Sequence, residues 1–309
     1  MVKAVINDHT SIPPMVNAMT VDVEDYFHVS AFEKVIQPKD WPSYKPTVDY
    51  NTRRLLDLFE QHDTKSTFFI LGWVAQAFPQ LIKEISDRGH EIASHGSNHR
   101  RASTQTWAEL RLDIRNSINI LEQESGQKVL GYRAPSFSIG KNNEWVFDLL
   151  AELGLIYSSS TYPIEHDLYG TPDWPRFIHQ RKEGIIEIPI PTLRTNKKNM
   201  GIGGGGYFRL YPYFLSKNRI TKYIKEEKQP YSFYFHPWEI DADQPRVQGA
   251  SIKSKVRHYI NLSRMESKVA KLLVDFSWST MKDVYLDEDK IKPVLLNSLN
   301  DKNGCKGKW

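Results

Sequence analysis

The chain reads as an α/β protein built on parallel strands, and three observations carry that reading. Strand-like and helix-like segments alternate along roughly the first two thirds of the 309 residues. The helix-like segments run to about 10 residues or more, the length a crossover between parallel strands requires. The residues of chemical interest gather where strands end. A (β/α) barrel and an open doubly wound sheet both satisfy this pattern.

Residues 17–23 (NAMTVDV) form the first strand by composition. Residues 48–63 place Leu55, Leu56, Leu58 and Phe59 at helical spacing. Residues 65–71 (KSTFFIL) read as a short buried strand. Residues 79–89 begin with a helix-compatible proline and stop at a glycine. HEIASHG is a strand running into a loop, and residues 104–126 are the longest helix, with Thr104 or Thr106 as N-cap and Gly126 as stop. KVLGYRAP and LIYSSS follow as strands on either side of the helical NEWVFDLLAELG. From 158 to 213 proline, tyrosine and glycine dominate, and the segment reads as an irregular insertion. A last strand, residues 231–237, precedes irregular chain and an amphipathic helix over 263–276. The expected division is a lead over 1–16, a barrel over 17–240, an extension packed on it over 241–279, and a polar, irregular, mobile tail over 280–309.

Composition narrows the function. At 40% hydrophobic and 25% charged residues, with a net charge of +4, the chain is an ordinary globular protein, and nothing argues for nucleic acid. Cys305 is the only cysteine, which excludes an intrachain disulfide and a thiolate zinc site. The N-terminal residues lack the apolar core of a signal peptide, and no apolar run approaches the roughly 18 residues of a membrane span. A cytoplasmic protein without a transmembrane segment is expected.

TVDVEDYFHV crowds Asp22, Glu24 and Asp25 where the first strand ends. Like charges so close repel, and a metal ion, a buried cation or a shared proton would relieve them; an acidic turn in water is the plain alternative. ASHGSNHR places His95 and His99 four apart in a loop after a strand. Two imidazoles and a carboxylate make a hydrolytic metal site with open positions, and the acidic cluster could supply the third ligand. His236 ends a strand, well placed for catalysis or simply satisfied in the core. Arg133, after another strand, could pair with one of the N-terminal carboxylates or form a surface salt bridge. The run Gly201 to Gly206 matches G-x-G-x-x-G formally, but with no strand leading in and no long helix following it is no dinucleotide site. It lets the backbone lie close to a ligand or another segment.

In order and setting these motifs resemble the NodB-homology polysaccharide deacetylases, carbohydrate esterase family four, and most of all the branch associated with exosortase and exopolysaccharide loci. TVDVEDYFHVSAFE, EIASHGSNH, GYRAPSFSI, YSSSTYPIEHDLYG, GGGYFRLYPY and FYFHPWEID carry the resemblance, which runs from about residue 17 to 278. It implies a distorted (β/α) barrel with an irregular C-terminal extension and a site at the strands' C-terminal ends. Asp22 then matches the catalytic base, Arg133 the arginine that holds it, and His236 the general acid. His95 and His99 match the metal ligands. The wider family has two adjacent aspartates in its first motif; here Val23 takes the second place, so Glu24 or Asp25 must serve as ligand. Strand alternation puts Glu24 on the side of Asp22. Asp167 is a candidate partner for the catalytic histidine.

The activity so implied is removal of N-acetyl groups from hexosamines of a polysaccharide or its lipid-linked precursor, with a divalent metal, zinc as first choice. Tyr26, Tyr207, Phe208 and Trp238 are candidate stacking surfaces for sugar rings, against simple packing. Association with exopolysaccharide assembly machinery and a place at the inner face of the membrane fit the same resemblance. A hydrolase of small cyclic amides and a catalytically silent glycan-binding protein are the alternatives.

Overall fold

The computed structural model describes residues 15–166, 170–195 and 198–287. Its strands are β1 (Val16–Val23), β2 (Thr67–Ile70), β3 (Glu91–Ser94), β4 (Gly131–Tyr132), β5 (Tyr157–Ser158), β6 (His179–Gln180), β7 (Ile186–Glu187), β8 (Thr192–Arg194), β9 (Asn199–Gly201), β10 (Ser232–Phe235) and β11 (Ser277–Ser279). One sheet runs β10-β1-β2-β3-β4-β5-β7-β6, with β11 also on β1, while β8 and β9 form a separate antiparallel pair. Within the large sheet only β6 and β7 pair antiparallel.

Strands β1 to β5 follow one another in sequence order, without the reversal that defines a doubly wound sheet. The chain then returns to lay β10 on the free side of β1, in register from Ala18 with Ser232 to Val21 with Phe235. The sheet is therefore curled into a half-barrel, the distorted form of the barrel expected. No ladder joins β6 to β10 among the described residues.

Period-two alternation in β1 sets up everything else. Met19, Val21 and Val23 join the core that the sheet shares with its helices, including Leu55, Leu56 and Phe59 of helix Val48–Gln61. Thr20, Asp22 and Glu24 consequently turn to the opposite face, inside the curl. The longest helix, Trp107–Ser125, starts at Thr106, whose hydroxyl accepts from Glu109 N while the Glu109 carboxylate accepts from Thr106 N. It stops at Gly126, in the left-handed region at φ 68°.

Several elements depart from expectation. Helix Gly72–Ala77 sits between β2 and helix Pro79–Asp87, too short to show a period. The stretch 158–213 is more ordered than its composition implies: it holds β6 to β9 and helix Gly205–Leu210. A strand, β9, does lead into the glycines, but it is one arm of the antiparallel pair, and the helix after it has only 6 residues. Dinucleotide geometry remains excluded. Pro212 then opens a helix, Tyr213–Glu227. Residues 280–287 are not tail: helix Met281–Tyr285 buries Met281, Val284 and Tyr285 beside the bottom of the sheet. Residues 288–309 lie outside the described residues.

Candidate active site

At the C-terminal end of β1 the three crowded carboxylates separate. Asp22 ion-pairs through Oδ1 with Arg133 Nη1 at 2.5 Å. Arg133 follows β4 and is fully buried; it also donates to Thr20 Oγ1 at 2.9 Å and to the Ser159 carbonyl at 3.2 Å, and lies over the Phe69 ring. A guanidinium so enclosed is a rigid clamp on Asp22.

Glu24 takes the other side. Its Oε2 lies 2.8 Å from His99 Nε2 and its Oε1 lies 3.1 Å from His236 Nε2. Burial alone would raise its pKa, but the imidazoles of His99, His236 and His95 outweigh burial and hold it well below the carboxylate range. Asp25 goes elsewhere. Its carboxylate accepts from the backbone of Tyr26, Thr47 and Val48 and from the Thr47 hydroxyl, at 2.6 to 2.9 Å, which makes it the cap of helix Val48–Gln61. The expectation that Asp25 could be a metal ligand is thereby corrected: its lone pairs are committed to the helix N-terminus.

His95 and His99 leave β3 on a tight loop, with Gly96 at φ 75° and His99 at φ 49°. A Cβ on Gly96 would meet Asp113 Oδ2 at 2.6 Å, so only glycine fits there. Asp113, from the long helix, accepts from Ser97 N at 2.9 Å and Asn98 N at 3.2 Å and anchors this loop. Its signal in the sequence was an acid on the buried stripe of that helix, beside Leu110, Ile114 and Ser117. His95 Nδ1 meets the Arg133 carbonyl at 2.8 Å; burial lowers its pKa to about 4, against the pull of Asp22. It is therefore neutral near pH 7, with Nδ1–H donating and the Nε2 lone pair left for a ligand's role.

Glu24, His95 and His99 offer ligand atoms that all lie within 4.8 Å of one another. Two imidazoles and one carboxylate, with the back of His95 already hydrogen-bonded to a backbone carbonyl, fit a divalent ion.

His236, just past β10, meets Glu239 Oε1 through Nδ1 at 2.8 Å. Burial opposes its charge, yet Glu24, Glu239 and Asp22 outweigh burial and raise its pKa to about 9. Glu239 is buried and held by Arg209, whose Nε donates to Oε2 at 2.6 Å. Sequence reading missed both. The spacing H-P-W-E, an acid three residues after a residue that opens a helical turn, was the signal available. Asp167, the candidate for this supporting role, lies outside the described residues.

These groups line one cavity of about 690 Å³, with Asp22, Glu24, His95, His99 and His236 at its base. Of the four aromatic residues named as stacking surfaces, Tyr207 and Trp238 line it. Trp238 is held between His236 and His258, stacked at 5.2 and 4.1 Å. Tyr26 and Phe208 do not line it. Tyr26 is buried with Phe27 and Trp41, and Phe208 packs edge-on against Phe233, so both are core.

Residues 42–158 match the family model described as polysaccharide deacetylase, and residues 159–286 match a domain of unknown function, DUF3473. A peptidoglycan-N-acetylglucosamine deacetylase of Bacillus cereus is 34% identical over 113 residues, 37% of this chain and 48% of that protein. The chain thus spans less than half the length of this relative. Among solved structures, a "probable polysaccharide deacetylase" from Pseudomonas aeruginosa PAO1 superposes with a TM-score of 0.55 at 14% identity, covering 91% of this chain and 96% of the other. PuuE allantoinase superposes with a TM-score of 0.54 at 16% identity, covering 91% and 95%. At such identities these likenesses speak for the fold. Residues 42–158 are thus similar in sequence to the polysaccharide deacetylases, and the curled parallel sheet is similar in fold to the solved deacetylase structure.

Proposed function

We propose that the chain is a metal-dependent hydrolase that removes N-acetyl groups from hexosamine units of a polysaccharide or its lipid-linked precursor, in exopolysaccharide biosynthesis. One observation carries this: a clamped carboxylate, Asp22, and a carboxylate-backed imidazole, His236, flank a candidate metal triad in one cavity. A base and an acid on either side of a shared centre are what hydrolysis of an amide requires.

Glu24, His95 and His99 would hold the ion, zinc as first choice. When bound it supplies Lewis acidity toward the acetyl carbonyl and the attacking water. Asp22 takes the proton of that water as its oxygen bonds to the carbonyl carbon, and Arg133 fixes the carboxylate in line. His236 donates its proton to the sugar nitrogen as the C–N bond breaks, so that acetate and a free amine leave. Glu239 orients His236 through Nδ1 and favours its protonated form. Tyr207 offers a face for a pyranose ring, whereas the faces of Trp238 are taken by His236 and His258. A setting at the inner face of the membrane, with the assembly machinery of the polysaccharide as partner, belongs to the same reading, and cell fractionation tests it.

The deciding experiment is acetate release from N-acetylhexosamine oligosaccharides and lipid-linked precursors, with protein as purified, chelated and zinc-restored. Release should vanish on chelation and return with zinc. Asp22→Asn should lower it by about a thousandfold, within the usual range for a general base. Turnover of a small cyclic amide with none of any glycan would overturn the substrate assignment. Glycan binding indifferent to chelator and without acetate release would overturn the enzymatic one.

A further inference from the structure

The mouth of the cavity is bordered by helix Ile252–Tyr259. Its inner side is fixed: His258 is buried and stacked on Trp238, and Arg209 donates to the carbonyls of Arg257, His258 and Ile260. Its outer side is unusual. Ile252 is 82% exposed and Val256 57%, one helical turn apart, with Lys253 and Arg257 exposed beside them. Leu210, 50% exposed, borders the same cavity. Large aliphatic side chains left in water give the fold nothing. Alternating with cations on one face, they fit an interface that is apolar below and anionic above.

We propose that this face, Ile252, Lys253, Val256 and Arg257 together with Leu210, docks on an anionic lipid bilayer, so that the cavity opens against the membrane surface. The position of Ile252 favours a bilayer over a soluble acidic glycan. Val256, Lys253 and Arg257 line the cavity, whereas Ile252 stands outside it, where a ligand in the cavity does not reach and a surface pressed on the rim does. Among the described residues no helix is long and apolar enough to cross a membrane. The inference rests on the deacetylase reading only for what docking delivers, a glycan tethered to that surface.

The test is sedimentation of the full chain with vesicles of phosphatidylcholine alone or enriched in phosphatidylglycerol. Binding should require phosphatidylglycerol and weaken with salt. Lys253→Gln with Arg257→Gln should reduce partitioning about fivefold per charge removed. Ile252→Ser with Val256→Ser should reduce it roughly tenfold. Circular dichroism establishes that these surface variants fold. Asp22→Asn should bind vesicles as wild type does, which keeps this outcome separate from the fate of the proposed activity. Absence of binding to the anionic vesicles overturns the proposal, as does an apolar double variant that binds like wild type. Hyaluronan competing fully, with loss confined to the basic pair, replaces the bilayer with an acidic glycan and overturns it too.

Discussion

Asp22, Glu24 and Asp25 occupy four consecutive positions with Val23 and meet three different partners: an arginine, a cluster of imidazoles and a helix N-terminus. Each carboxylate is stabilised by a separate positive or hydrogen-bond-donating environment, which is why the crowding costs little. The two neighbours should therefore respond differently to loss of charge. Asp25→Ala is expected to destabilise the fold by about 2 kcal/mol through the lost cap, with bound metal per folded protein unchanged. Glu24→Gln should instead abolish metal retention, and it should also lower the urea midpoint of the metal-free protein, since it leaves His236 and His99 without their buried partner. Metal analysis on both variants beside denaturation curves decides it; metal loss in Asp25→Ala that remains well folded would return Asp25 to the ligand set.

At the scale of elements, the glycine run is where backbone meets the acid machinery. A Cβ on Gly205 would collide with the Glu239 carboxylate, and one on Gly204 would meet the Tyr234 ring, whereas one on Gly206 meets open space. Helix Gly205–Leu210 is thus pressed onto the residue that orients His236, and its Arg209 ties Glu239 to the carbonyl end of helix Ile252–Tyr259. Gly205→Ala should lower kcat about tenfold or more with KM little changed, as displacement of a hydrogen-bonded supporting group does. Gly206→Ala serves as the matched control. Equal effects of the two substitutions on kcat would remove the argument.

The whole molecule separates chemistry from stability along the strands: the site occupies their C-terminal ends, and His90 sits at the opposite end, just before β3. Burial, with Lys65 and Arg88 nearby, lowers the His90 pKa to about 3. Its Nδ1 accepts from Ser66 N. Because the unfolded chain titrates this group near 6.5, it binds the extra proton first as pH falls. The stability tied to neutral His90 is therefore full above about pH 6.5 and lost progressively toward about pH 3. His90→Asn, which keeps an acceptor, lacks this loss. The stability gap between wild type and variant should narrow as pH falls, by up to ~1.4 kcal/mol per pH unit. Urea midpoints across that range measure it, and a gap independent of pH would show that His90 does not titrate on unfolding.

Much of this was legible in the residues themselves. Alternation along β1 placed Asp22 and Glu24 on one face, the Thr106 and Gly126 signals bounded the longest helix, and the order of motifs along strand ends located Arg133, His95, His99 and His236. These are local rules of backbone geometry, and a sequence contains all they need. What a side chain finally touches is not local. Asp25 became a cap because helix Val48–Gln61 packs against the end of β1, and Tyr26 and Phe208 became core because other elements cover them. Glu239 and Arg209 took up the support of His236 across 30 residues of chain, and helix Ile252–Tyr259 was left with an apolar and basic face at the cavity mouth. The sequence determined the alternation of strands and helices and the chemistry at the strands' ends; tertiary packing decided the order of strands in the sheet and which of the neighbouring groups reach the cavity, because burial and partnership arise only when distant segments compete for the same space.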